Sequence, residues 1–130
     1  GKETILMNMK TLVDALPSIR KIAGQDLSMK TLYRAKRLLD KLEAHLRFYD
    51  EKRTEIMERC CTVEDGKYVP KPDMAETLEA DMRELLDVEI EMDGIQAIRL
   101  PAEEDMRLSY ADLCALDGLV KIEFEEEKEA

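Results

Sequence analysis

Carboxylates are the commonest reactive groups in this chain, yet none is spaced like a catalytic or metal-binding set. Glu89 and Glu91 alternate with Val88 and Ile90, which puts both acids on one face of a strand, the wet one. Glu103, Glu104 and Asp105 are consecutive in a stretch that reads as an acidic loop. The acids between Asp87 and Asp93 lack the internal glycine that a calcium loop needs for its sharp turn. His45 is the only histidine, and a lone imidazole without an orienting partner does little chemistry. The thiols fare no better. Cys60 and Cys61 are neighbours on a helix and point apart, Cys114 stays unpaired in any scheme, and His45 lies about four turns from Cys60. There is no CxxC pair, glycine-rich phosphate loop or nucleophilic serine elbow. The expectation is therefore a protein without catalytic, cofactor-binding or metal-binding residues, and not an enzyme. The alternative is a small enzyme using a carboxylate cluster that only the fold would assemble.

The elements that must position these groups are dominated by one helix. Leu32, Ala35, Leu39, Leu42, Leu46, Tyr49, Ile56 and Cys60 recur at spacings of three and four, with Arg53 alone out of place. That is a heptad seam, so residues 28–61 should form one helix about 50 Å long. Ser28 caps it, and Leu27 with Leu32 forms a hydrophobic staple. Leu38 and His45 flank the seam. Before it, residues 10–22 read as a helix with Leu12, Leu16, Ile19 and Ala23 on one side, bent or split by Pro17. Residues 4–7 are a short apolar run, strand or lead-in.

After the long helix the chain breaks. Asp65-Gly66 is a turn signal between Val63 and Tyr68-Val69, predicting a small hairpin. Asp73, with Glu76 three residues on, predicts a capping box for a helix over 73–86 carrying Met74, Leu78, Met82 and Leu85. The period then falls to two. Leu86, Val88 and Ile90 alternate with acids, and Ile98 and Leu100 alternate with Ala97 and Arg99. A three-residue loop of Met92, Asp93 and Gly94 would align them as a hairpin, Val88 opposite Ile98 and Leu86 opposite Leu100. Ser109 and Asp112 cap a short helix with Leu108 and Leu113 as its staple, and Val120, Ile122 and Phe124 mark a last strand.

The two short helices should fold back on the two halves of the long one. The fold class expected is α+β, mainly α: a long helical hairpin with an N-terminal helix and a small two- or three-stranded antiparallel sheet. Residues 1–124 form one domain and 125–130 an acidic tail. With 45% hydrophobic and 38% charged residues the chain is far from the disordered regime, and eight Met without Trp suit an adaptable helical core. Gly1, where an initiating Met would stand, reads as the remnant of a removed tag.

Charge is distributed unevenly. Residues 1–72 hold 15 Lys and Arg against 11 Asp and Glu, whereas residues 73–130 hold 5 against 19. The acidic half repels nucleic acid and anionic membranes, so neither is expected as a partner. No apolar run reaches a membrane span, and three cysteines at this spacing suit a reducing, cytoplasmic setting. The second face of the long helix, with Leu38, His45 and Phe48, predicts self-association as a homodimer.

The apolar N-terminal segment with Leu12-Val13 and Leu16, the stretch from Leu32 to Met57, the Glu64-Asp65-Gly66 turn and the acidic Ile122-Glu123-Phe124-Glu125 together resemble a family of small uncharacterised proteins encoded in phages and prophages of Gram-positive bacteria. That resemblance covers most of the chain and implies an interaction protein, an assembly or host-takeover adaptor with a phage or host protein as partner. It carries over no functional residues. Prefoldin subunits, which pair helices with small hairpins, are a weaker resemblance, because the helices here are too unequal.

Overall fold

The computed structural model describes residues 5–92, 96–100 and 104–124. It is an α+β structure, mainly α. Strand β1 (Ile5–Asn8) leads directly into helix α1 (Met9–Ala23), and Asn8 caps it by accepting from Thr11 N at 3.0 Å. Pro17 does not split α1. It sits on the exposed side of one continuous helix, where a missing backbone hydrogen bond faces water. Helix α2 (Met29–Cys60) is the long helix, capped by Ser28 as the sequence predicts.

The buried face of α2 is broader than a seam. Thr31, Ala35, Leu38, Leu42, Ile56 and Cys60 are buried, and Leu32, Leu39, Leu46 and Tyr49 are half-buried beside them. The physical reason is that α2 packs against α1, helix α3 (Ala75–Leu86) and strand β5 (Gln96–Leu100), so more than one stripe of the cylinder is covered. Leu38 belongs to this core. It is therefore no part of an outward face, and of the residues expected to mediate a dimer only Phe48, 41% exposed, remains open.

Beyond α2 come β2 (Cys61–Glu64) and β3 (Lys67–Pro70), an antiparallel hairpin in which Val63 faces Tyr68. Asp65 and Gly66 both have positive φ, 50° and 75°, as a two-residue turn matching the strand twist requires. Lys71 closes the end of α2: its backbone N–H donates to Cys60 O at 2.9 Å and its Nζ to Arg59 O at 3.2 Å. Helix α3 (Ala75–Leu86) then returns along the second half of α2. Asp73 does not cap it. The helix starts two residues later, at a Met74 cap with no side-chain bond, because residues 72–74 are spent on a turn.

The strand pairing departs most from expectation. β4 (Glu89–Met92) pairs antiparallel with β1, Ile5 opposite Met92 and Asn8 opposite Glu89. β5 pairs parallel with β6 (Val120–Phe124), Ile98 opposite Ile122. The expected β4–β5 hairpin is absent, and its loop residues Asp93 and Gly94 lie outside the described residues, as do residues 125–130. Alternation fixes which side of a strand is buried, and Ile90 and Met92 are indeed buried while Glu89 and Glu91 are exposed. It does not choose a partner, and the N-terminal strand takes that place. Leu86 belongs to α3 rather than to a strand. Helix α4 (Tyr110–Leu116) lies in the crossover from β5 to β6, which a parallel pair needs.

Among the described residues there are two cores. The first joins Leu12, Ala15, Ile19 and Ile22 of α1 to Ala35, Leu38 and Leu42 of α2, Ile90 and Met92 of β4, and Leu116, Leu119 and Val120. The second, smaller one gathers Ile56, Cys60, Cys61 and Leu85. Tyr49 packs against both. Arg53 is half-buried between them in sequence, its aliphatic stem along the helix face.

Candidate interaction site

Residues 104–112 run across the corner where α1 turns into α2, fixed there at three places. At the first, Glu104 Oε1 accepts from the backbone N–H of Ser28 at 2.8 Å, and its Oε2 accepts from the Thr31 hydroxyl at 3.1 Å. Ser28 in turn accepts from Thr31 N at 3.3 Å. A capping box normally has a Glu in the helix's own first turn reaching back to the cap N–H. Here Thr31 occupies that position, and a carboxylate from a distant loop completes the arrangement. The Ser28 N–H, with the hydroxyls around it, lowers the Glu104 pKa.

At the second place, Gln25 and Arg107 form a closed pair. Gln25 Nε2 donates to Arg107 O at 2.8 Å, and Gln25 Oε1 accepts from Arg107 N at 2.9 Å. At the third, Asp112 accepts from Lys21 Nζ at 2.7 Å, from Ser109 N at 2.9 Å and from the buried Ser18 hydroxyl at 2.8 Å. Its partner Ser109 accepts from Asp112 N at 3.0 Å, so the predicted capping box of α4 is present and doubles as the anchor of α4 on α1. The Lys21 ammonium, followed by the Ser109 N–H and the Ser18 hydroxyl, holds the Asp112 carboxyl well below the usual carboxylate range.

Between this strap, α4 and β6 lies an apolar cleft of roughly 310 Å³, lined by Glu104, Met106, Leu108, Leu113, Ile122 and Phe124. One face of β6 runs out of the core into it. Val120 is buried, Ile122 half-buried, and Phe124 is 75% exposed. Leu113, on α4, is 48% exposed at the opposite wall. The volume stands at the small end of ligand pockets, about 300–1,000 Å³. Glu104 is the one charged side chain among the described lining residues, and both its oxygens are already engaged at the α2 cap. Among its described residues the cleft thus offers apolar contact and no free acid or base.

A second depression, roughly 340 Å³, lies between α2 and α3 and includes Phe48, Ile56, Leu85 and Val88. Four of its five charged side chains are paired, and the fifth, Glu84, is exposed. Arg59 holds Asp81 at 2.8 Å, an interaction that raises the arginine's pKa, and Lys52 meets Glu55 at 3.2 Å. Lys52 also sits 5.9 Å over the Phe48 ring. Among the described residues no three His, Cys, Asp or Glu side chains are placed to hold a metal ion, and no helix is long and apolar enough to cross a membrane.

The residues weighed from sequence are scattered. Glu89 and Glu91 lie on the wet face of β4, His45 is half-buried on α2, and Asp105 is exposed. Glu103 lies outside the described residues. Cys60 and Cys61 are buried, whereas Cys114 is exposed on α4. The cleft itself escaped the sequence reading. Leu108 and Leu113 register there as a local staple and Ile122 and Phe124 as one side of a strand; the available signal was a surplus of large apolar residues over what so short a helix and strand can bury. No family model matches the chain, and neither the curated proteins nor the solved structures contain a match to it.

Proposed function

We propose that this chain is a binding protein, an adaptor that receives large apolar side chains of another protein in the cleft between α4 and β6. The observation that carries this reading is the cleft's lining: five apolar side chains with one carboxylate already committed to the α2 cap. Contiguous exposed apolar surface of this kind marks interaction sites on soluble proteins. Catalysis would need a titratable group free to exchange a proton with substrate. In the α2–α3 depression the carboxylates of Glu55 and Asp81 are each held by a cation, which leaves the exposed Glu84 alone among its acids, with no second group beside it to share a proton transfer. The resemblance to small phage and prophage proteins supplies a setting, assembly or host takeover, and three unpaired thiols suit a reducing cytoplasm.

A neutral apolar dye such as Nile red tests the cleft directly. Saturable binding is expected, with shifts of the Leu108, Leu113 and Ile122 methyl resonances, and Leu113→Asp should abolish it. Binding that is absent, or indifferent to Leu113→Asp, refutes the reading.

A further inference from the structure

Resting on that assignment of the cleft, we propose that its occupant is a basic amphipathic segment, apolar on one face and Lys- or Arg-rich on the other. The argument is charge complementarity around an apolar centre. The cleft is built from an acidic part of the chain: residues 101–130 hold 10 Asp and Glu against 3 Lys and Arg. Glu104 forms part of its wall, and Asp105 and Asp117, both exposed, lie on the strap and just beyond α4. Phe124, the most exposed lining residue, is followed in sequence by Glu125, Glu126 and Glu127.

Two of the nearby cations are held by acids, and Arg107 is exposed on the strap. Lys21 is held by Asp112 at 2.7 Å and Lys121 by Glu123 at 3.4 Å. Burying anchors from an acidic partner here would force like charges together, which is costly, whereas a basic rim would neutralise the field and raise the association rate. The apolar contacts set where the segment sits, and the acids select its sign. Met106 in the lining adds a flexible, polarisable wall that adjusts to different anchor shapes.

The test uses a fluorescein-labelled helical peptide with leucines on one face and lysines on the other. Its controls are the same composition scrambled to destroy the apolar face and a version with Glu for each Lys. Anisotropy should show micromolar binding of the first peptide alone. Affinity should fall about tenfold or more with a few hundred millimolar salt, and also in Leu113→Asp and in Phe124→Ala. Both residues are substantially exposed, so the variants keep their fold, which urea unfolding verifies. Binding that survives both variants but vanishes with salt is attraction to the acidic sequence alone and overturns the proposal. Equal binding of the scrambled peptide overturns it as well. If Nile red occupies the cleft but the basic peptide does not bind, the cleft reading stands and the basic partner is refuted. A doubled mass by light scattering, lost in Leu113→Asp, would make a second copy of this chain the occupant and equally refute it.

Discussion

Leu42 sits at the middle of α2, fully buried, with α1 against it on one side and the C-terminal residues Leu116 and Leu119 in the same core. Replacing it by Ala removes three carbon groups from an apolar environment, about 2.4 kcal/mol at about 0.8 kcal/mol each. The neighbours cannot follow inward easily, because Ala15 on α1 and Ala35 on the same helix as Leu42, both members of this core, are already small and belong to helices fixed along their length. A residual cavity of about 50 Å³ adds about 1.2 kcal/mol. The sum, about 3.5 kcal/mol, is a large share of a domain's total stability of about 5–15 kcal/mol. Ala is at least as good a helix former as Leu, so propensity does not contribute to the loss. Urea unfolding should show the midpoint falling by about 1.5–2 M at an unchanged slope of about 2 kcal/mol/M. Met29→Ala on the exposed first turn of the same helix should stay within about 0.5 kcal/mol. A loss below about 1 kcal/mol for Leu42→Ala would show that the residue is not enclosed and that the two-sided packing of α2 is wrong.

Three further outcomes are expected. Gly66→Ala should destabilise the β2–β3 hairpin by about 1–2 kcal/mol, because φ is +75° there and open space surrounds the site, leaving backbone strain as the whole effect; cross-strand NOEs between Val63 and Tyr68 should weaken, and their persistence at full stability would refute it. Asp112 and Glu104 both have lowered pKa values, so their contacts add stability above the ordinary carboxylate range, about pH 4, and lose it as pH falls through the depressed folded values; Asp112→Asn should lower the urea midpoint at neutral pH and flatten the acid limb, and an acid limb identical to the parent's would be inconsistent with this. Duplex DNA and RNA should bind no tighter than the nonspecific range of about 10⁻⁴ to 10⁻⁶ M, since the nine Lys and Arg of residues 28–61 are interleaved with six acids in a chain of net charge −10; nanomolar, salt-sensitive binding in an anisotropy titration would contradict the adaptor reading.

What the sequence discloses here is local. The period of three and four in α2, the Ser28 and Ser109–Asp112 caps and the Asp65-Gly66 turn are each decided within a few residues, and all are where the pattern puts them. Asp73 shows the limit of local reading. Its spacing to Glu76 satisfies a capping box, but the chain spends residues 72–74 on a turn, and the helix begins inside the motif. Strand partners are nonlocal, so β4 and β5 could be placed as strands and not paired correctly. Glu104 is the sharpest case. It reads as one acid in a solvated loop, and its role appears only when the loop is laid across the start of α2. The cleft depends on the same placement and was illegible for the same reason.

The two cores differ in how much of the chain must exist before they can form. The smaller one draws on residues from Tyr49 to Leu85, a contiguous stretch that closes on itself through one hairpin and one returning helix. The larger one joins Met9 to Val120, its N-terminal strand waits for β4, and the first turn of α2 waits for Glu104. Closing long loops delays the contacts that reward them. On a ribosome the distal end of the hairpin can therefore close on its own, while the opening helix, which meets the first half of α2 early, remains without α4 until most of the chain has emerged. The cleft between α4 and β6, whose described lining runs from Glu104 to Phe124, forms only once β6 is in place, so a nascent chain that stops short of β6 cannot present it.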